Sequence, residues 1–265
     1  MDLLTKEDRK LIDVHSHLLP GVDDGSSSLA HSLELARAAV ADGITHALMT
    51  PHHMNGRYTN HAQDVIDRTD AFQSELNKAE IPLTVFPGQE VHINGDLIQA
   101  IEDDDILTTD ESGRYLLLEF PHDAVPAYAS DMIFQIMQHG LTPVIVHPER
   151  NEAMMHNPQL LYDLISRGCL SQVTASSYVG TFGKNVQAFA EDIVSAGLAH
   201  VFASDAHHLE KRDYEMSAAF KRLDKKMGTD YGIQFAENAK ALVNGDNVAR
   251  FNERPIKKPR FFARY

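Results

Sequence analysis

The segment IFQIMQHGLTPVIVH, residues 133–147, decides the reading of the whole chain. Ile133 to Met137 form the apolar side of a helix, and Gly140 stands where a helix C′ residue must turn left-handed. The run that follows is apolar almost throughout, as a parallel strand covered on both faces must be. His147 closes that run with a metal-ligand side chain. The same unit recurs at Leu35 to Val40 with Gly43, at Leu161 to Ile165 with Gly168, and at Ile193 to Val194 with Gly197. Adding the runs Leu11 to Val14, Leu83 to Phe86 and Tyr115 to Leu118 gives about seven strands, spaced by roughly 30 residues, the period of a βα unit. The expectation is an α/β chain forming a barrel rather than an open sheet.

The chain has 265 residues, 43% of them hydrophobic, with no low-complexity tract and no linker, which predicts one domain over residues 1–265. Its charged start, Met1 to Lys10, is not a signal-peptide core, and no apolar run reaches the ~20 residues of a membrane span, so a cytoplasmic protein without a transmembrane segment is expected. One cysteine, Cys169, excludes an internal disulfide and any Cys-rich zinc module. A net charge of −14 argues against nucleic acid as a partner. No G-x-G-x-x-G or Walker loop follows any strand, which weakens nucleotide-binding alternatives.

Fifteen histidines are many, but position rather than number decides their meaning. At the C-terminal ends of the expected strands stand His15 and His17, then His52 and His53, Glu90, Glu119, His147, and Asp205 with His207. Six of the seven ends thus carry a metal-ligand type; the remaining one, Thr174 to Ser177, offers hydroxyls. In a β/α barrel these ends converge on one face. His15 and His17 share strand periodicity and point the same way, so both imidazoles can hold one cation. Glu90 and Glu119 lie in apolar contexts where an unpaired carboxylate is costly and a cation removes the cost. Asp23-Asp24-Gly25 reads as a turn, and its position seven residues after His17 makes Asp24 a further candidate ligand.

Three divalent cations held by His15, His17, His52, His147 and His207 with the anions Asp24, Glu90, Glu119 and Asp205 leave a formal charge of roughly +2, and Arg150 raises it to about +3. A phosphomonoester dianion with a metal-bound hydroxide neutralises that charge, so phosphate ester hydrolysis fits better than amide hydrolysis. The expected chemistry is in-line attack by the hydroxide, with Arg150 and the cations on the non-bridging oxygens. A tyrosine phenolate, with a pKa of about 10, needs less help from a general acid than an alkoxide does; Asp205 and His207 are the candidates for that acid, though both are also expected ligands. Cys169 lacks the phosphate-cradling loop and arginine of a thiolate phosphatase and reads as a small buried residue.

Taken together, Asp13-Val14-His15-Ser16-His17-Leu18-Leu19-Pro20, Asp23-Asp24-Gly25, Thr50-Pro51-His52-His53, Pro87-Gly88-Gln89-Glu90, His147-Pro148-Glu149-Arg150 and Ser204-Asp205-Ala206-His207 resemble the polymerase and histidinol phosphatase (PHP) superfamily. Within it they resemble the CpsB/YwqE-type tyrosine-protein phosphatases of bacterial capsule and exopolysaccharide systems, from about residue 11 to the C-terminus. The resemblance implies a distorted (β/α)₇ TIM-like barrel with three divalent metal ions, often manganese, with iron or zinc as alternatives. It implies a partner tyrosine kinase bearing phosphotyrosine. By this resemblance His15, His17, Glu90 and Asp205 hold one metal, Glu90, Glu119 and His147 a second, and Asp24, His52 and His207 the third. Arg150 matches the phosphate-binding arginine, and Arg212 is the candidate for a second. The choice of His52 over His53 rests on the resemblance, and His208 is an additional histidine beside the pattern.

Three competing readings keep part of this picture. A small-molecule phosphatase acting on histidinol phosphate would use nearly the same ligands, and a kinase-binding scaffold would keep the fold while tolerating the loss of Arg150. An amidohydrolase also places H-x-H on its first strand, but commonly with a carboxylated lysine where this chain has Glu119. Arg57 and Tyr58, in the loop after the second strand, are placed to line the mouth. The basic, aromatic tail from Arg254 to Tyr265 is expected outside the barrel, where it can bring the protein to an anionic membrane surface beside its kinase. Deleting residues 255–265 is expected to weaken cosedimentation with anionic liposomes and association with the kinase; unchanged values for both would remove that role.

Overall fold

The computed structural model describes residues 9–209 and 214–257. Strands alternate with helices: β1 (Leu11–Ser16), α1 (Leu29–Ala41), β2 (Ile44–Met49), β3 (His52–His53), α2 (Ala62–Lys78), β4 (Thr84–Pro87), β5 (Glu90–His92) and α3 (Leu97–Glu102). There follow β6 (Tyr115–Glu119), α4 (Ala129–Gln138), β7 (Thr142–Val146), α5 (Glu152–His156), α6 (Gln159–Ser166), β8 (Leu170–Thr174) and α7 (Ala175–Val179). The described chain ends through α8 (Lys184–Ser195), β9 (Val201–Ala203), α9 (Met216–Met227) and α10 (Thr229–Asn244). Every strand pairing is parallel. Gly43, Gly140, Gly168 and Gly197 all take positive φ just past their helices, as the repeating unit requires.

The strands form a three-stranded sheet, β1-β2-β4, and a six-stranded sheet, β3-β5-β6-β7-β8-β9. Two of the β-runs read from the sequence are therefore each divided in space. Pro51 has no N–H for the ladder and separates β2 from β3. Gly88 and Gln89 separate β4 from β5, and Gln89 turns its amide away to Asn60 O (2.7 Å) and Leu107 N (2.7 Å). Beyond β9 the chain returns to β1: Asp205 N–H donates to His15 O (2.9 Å) and His17 N–H to Ala206 O (3.1 Å).

The apolar runs are buried on both faces. Val14, Leu48, Leu117, Val144 and Val201 form an inner cluster against Leu242 and Val243 of α10, while Leu116, Leu118 and Ile145 face the core beneath the helices. Cys169 is buried, and its burial pushes the thiol up to about 12, so it is an inert packing residue. At the start of the tail, Arg254 N–H donates to Ala196 O (2.8 Å), so its first residue is docked. Residues 258–265 lie outside the described residues. No helix among the described residues is long and apolar enough to cross a membrane.

His200 is a buried histidine with a structural role. Its Nδ1 accepts from Ser171 N–H (3.1 Å), its own N–H donates to Ser171 O (3.0 Å), and its carbonyl accepts from Asn238 Nδ2 (3.0 Å). Burial, followed by the nearby Arg250 charge, lowers its pKa to about 3. The unfolded chain takes up a proton near the ordinary value of about 6.5, so this group's contribution to stability is lost as pH falls from there toward 3. In urea unfolding with chelator present, the stability advantage of the wild type over His200→Asn is expected to shrink by up to about 1.4 kcal/mol per pH unit between roughly pH 6 and 4. A constant difference would mean that His200 is protonated in the folded protein.

Candidate metal centre

The polar residues flagged at the strand ends meet at one end of the sheets. His15 lies in β1 with His17 just beyond it, His52 in β3, Glu90 at the start of β5, and Glu119 at the end of β6. His147 follows β7 directly, and Asp205 and His207 follow β9. Two of these residues are held in backbone conformations that non-glycine residues seldom adopt: His147 at φ 35° and Asp205 at φ 51°. Each turns the chain sharply off its strand end, and such strained positions cluster where a site demands them.

Glu90 is the centre of the arrangement. Its buried Oε2 takes no hydrogen bond, yet His52 Nδ1 (2.8 Å), His15 Nε2 (3.2 Å) and His17 Nε2 (3.3 Å) surround it. Its Oε1 lies 2.7 Å from His147 Nε2. Asp205 Oδ1 stands 3.6 Å from His15 Nε2 and 3.4 Å from His17 Nε2. On the far side Asp24 Oδ1 is 3.4 Å from His52 Nε2 and 3.6 Å from His207 Nε2.

The outer nitrogens of three imidazoles fix where the protons sit. His15 Nδ1 donates to Gln172 Oε1 (3.1 Å), His17 Nδ1 to Asp23 Oδ2 (2.7 Å) and His207 Nδ1 to Asp205 O (3.0 Å). In the neutral ring each Nε2 is then a lone pair directed inward. His15 Nε2 and His17 Nε2 approach within 3.1 Å of each other with carboxylate oxygens beside them, and burial is outweighed at His17 by Asp23, Asp205 and Glu90, which raise its pKa and draw positive charge to the pair. Such a cluster requires positive charge, which protons or metal cations can supply. Three groups of donor atoms converge within 4.8 Å: His17, Asp24, His52 and His207; His15, His17 and Asp205; and His52, Glu90 and Glu119. The donor set therefore fits bound divalent metal.

The field of the site favours positive charge. Burial opposes ionisation of Glu90, but His15, His52 and His147 overcome it and hold the carboxyl well below its usual range. Burial likewise opposes charge on His52, and Glu90, Asp24 and Glu119 override it and raise its pKa strongly. His207 and His52 beside Asp24 lower its carboxyl far below the usual value. Arg150 faces the same cavity and ion-pairs with Asp205 Oδ2, with its guanidinium 5.5 Å from the ring centre of Phe182. Despite burial, Asp205, Glu149 and Glu90 raise its pKa, so it is always charged. A cavity of about 260 Å³ opens over these groups, walled by Phe120, His122, Pro148, Asn151 and Met154.

Several supporting residues escaped the sequence reading. Asp23, rather than its neighbour Asp24, carries the buried role: it binds His17 Nδ1, Gly25 N (2.9 Å) and His52 N (3.2 Å). Gly25 has no room for a side chain there, since a Cβ would lie 2.4 Å from His17 O. Gln172 carries no metal signal in sequence. His92, whose Nδ1 is 3.2 Å from Glu119 Oε2, stands two residues after Glu90 on the same strand face, a spacing that could have flagged it. Strand alternation separates His52 from His53, whose Nδ1 accepts from Asn60 N–H (3.2 Å) outside the cluster. Tyr58 stacks beside His52, with ring centres 6.2 Å apart, while Arg57 covers the Tyr58 ring in the loop. His208 stacks on His31 rather than joining the donors. Arg212 lies outside the described residues.

A parallel α/β scaffold whose strand ends gather histidines, carboxylates and an arginine around one cavity defines the class of metal-dependent hydrolases. Within that class, the chain belongs to the CpsB/CapC family of capsular polysaccharide synthesis, whose sequence model matches residues 11–244. It is 40% identical over 252 residues to the tyrosine-protein phosphatase YwqE of Bacillus subtilis (strain 168), covering 95% of this chain and 99% of that one. It is 34% identical over 242 residues to the putative tyrosine-protein phosphatase CapC of Staphylococcus aureus, covering 91% and 94%. A solved structure described as YwqE from Bacillus subtilis and CpsB from Streptococcus pneumoniae, metal-dependent tyrosine phosphatases, superposes with a TM-score of 0.90 at 40% identity over 93% of this chain and 100% of that one. An organophosphorus hydrolase variant from Deinococcus radiodurans, 15% identical with a TM-score of 0.58 over 91% of this chain and 94% of that one, shares the fold.

The orienting role of Asp23 is testable apart from catalysis. Asp23→Ala is expected to lower metal affinity by about 10- to 100-fold with the circular dichroism spectrum retained. Calorimetric titration of chelator-stripped protein measures this, and wild-type affinity in the variant would remove Asp23 from the metal centre.

Proposed function

We propose that this protein is a metal-dependent protein-tyrosine phosphatase acting on a phosphotyrosine-bearing bacterial tyrosine kinase that controls capsule or exopolysaccharide synthesis. The observation that carries the reading is the ring of imidazole nitrogens around the buried Glu90 carboxylate, with the charged Arg150 on the same cavity. The near full-length similarity to phosphatases named for tyrosine supports the substrate class. A cytoplasmic location follows from such a partner.

Read with β2 continuing into β3 and β4 into β5, the nine strand segments reduce to seven, and the hydrogen bonds from Asp205 and His17 join the last to the first. These features support a distorted (β/α)₇ barrel as a single domain, with the site at its C-terminal face. The proposed centre holds three ions. His15, His17, Glu90 and Asp205 take the first; Glu90, Glu119 and His147 the second; Asp24, His52 and His207 the third. Convergence of His15 with His17 and Asp205, and of Asp24 with His52 and His207, supports two of these sets. For the second, the structure brings His52 to Glu90 and Glu119, while His147 meets the other oxygen of Glu90. Mixed nitrogen and oxygen donors suit manganese, with iron or zinc as alternatives.

When bound, such ions polarise phosphoryl oxygens and activate water at neutral pH. The protein's own groups do the rest. Arg150, pre-aimed by Asp205 and by the face of Phe182, pairs with a phosphate oxygen as charge moves onto the phosphoryl group. Arg212 is proposed as a second phosphate-binding arginine. Phe120 and Tyr58 give the mouth an aromatic character suited to a phenyl ring. Asp205 and His207, at the end of the last strand, are the proposed groups for proton movement to the phenolate, a leaving group of pKa about 10.

Chelator-stripped protein restored with Mn²⁺ is expected to release phosphate from a phosphotyrosyl kinase-tail peptide in preference to a phosphoseryl peptide and to histidinol phosphate. Arg150→Lys is expected to lower kcat/KM by about 10²- to 10³-fold while metal content is unchanged. Preference for histidinol phosphate would move the protein to small-molecule metabolism. Inactivity on all three with metal verified as bound would favour a kinase-binding scaffold.

A further inference from the structure

A second cavity, of about 490 Å³, lies at the opposite end of the strands from the metal centre, between α10 and the beginnings of β1 and β2 with Phe86 of β4. Its floor is apolar: Ile12, Phe86 and Ile233 are only half-buried there, and Val243 lies beneath them. Its rim carries Lys10 and Lys240, both exposed and both without an ion-pair partner among the described residues. In a chain of net charge −14, where carboxylates outnumber cations 38 to 24, two lysines at the mouth of one apolar cavity give it a local positive charge opposite to that of the chain as a whole.

The neighbouring groups narrow the complementary ligand. Arg9, also on the wall, is committed to Asp224 (3.0 Å) and to the face of Phe220, 5.0 Å away. His46 lies parallel to Phe86, with ring centres 6.0 Å apart, and its Nδ1 is tied to Thr45 Oγ1 (2.8 Å). Burial, and then the charge of Lys10, lower the His46 pKa, so it adds a flat neutral surface rather than a further cation. Glu237 on the same rim leaves the two lysines with a net charge of one. One net positive charge above a flat aromatic and aliphatic floor complements a monoanion with a flat apolar body. A dianion such as phosphate would leave that single net charge over-neutralised. The volume is in the range of small-molecule sites, roughly 300–1,000 Å³.

We propose that this cavity is a binding site for a small aryl carboxylate, held through its carboxylate by Lys10 and Lys240 and through its ring by Phe86, Ile12 and Ile233. The site is separate from the metal centre and does not rest on the phosphatase reading. Its test uses the full-length protein with ¹³C-labelled isoleucine methyl groups, titrated with 1-naphthoate and, in parallel, with the neutral 1-naphthylmethanol. Saturable shifts of the Ile12 and Ile233 methyl signals are expected, with naphthoate at least about tenfold tighter than the alcohol. The double variant Lys10→Gln/Lys240→Gln changes two exposed side chains, and in it naphthoate is expected to fall to the affinity of the alcohol. Absence of shifts at these two methyls, equal affinity for acid and alcohol, or undiminished naphthoate binding by the double variant would each overturn the proposal. Binding that appears only after removal of residues 1–8 would also overturn it, by giving the cavity to the chain's own N-terminal segment.

Discussion

Everything at the metal-binding face depends on one buried carboxylate. Glu90 is fully enclosed, and an isolated carboxylate in that position would be among the most costly groups a protein can bury. Here four imidazoles from β1, its extension, β3 and the end of β7 point at its two oxygens. The arrangement is stable only if positive charge enters the ring, as protons on the imidazoles or as metal. The same negative potential that lifts the His52 pKa attracts divalent cations, so affinity for metal and the shape of the strand ends have one physical origin.

That carboxylate would be useless without the outer ring that fixes which nitrogen of each histidine faces inward. Gln172, Asp23 and the carbonyl of Asp205 each bind the outward nitrogen of one imidazole, and they come from three different parts of the chain. Asp23 also receives the backbone of His52 and of Gly25, so one side chain positions two histidines and its own turn. Rigid strands supply the positions, and these hydrogen bonds supply the orientation. Arg150 faces the same cavity, with its guanidinium paired to Asp205 and lying over the ring of Phe182.

Much of this was legible in the sequence because both strand and helix leave periodic traces. The glycines after the four periodic helices marked where parallel strands begin, and ligand-type residues at successive strand ends marked one face. The division of the sheet was not legible, because a single Pro51 or a Gly88-Gln89 pair looks like an ordinary loop until the partners of each half are known. Nor could spacing tell Asp23 from Asp24: adjacent residues of one type point to opposite sides of a turn, and only the position of His17 shows which is enclosed. Gln172 was silent for a different reason, since its task is to orient a neighbour some 157 residues away in sequence.

The hydrogen bonds from Asp205 to His15 and from His17 to Ala206 join the ends of the last strand and the first. Chain growth on the ribosome delivers His15 and His17 first and Asp205 and His207 only after almost 190 further residues, so a nascent chain that has not yet reached His207 lacks part of the proposed ligand set. A half-folded chain would then bring together only part of the donor atoms that converge in the folded one. In the proposed centre, capture of metal would therefore follow the closing of the last strand onto the first rather than precede it.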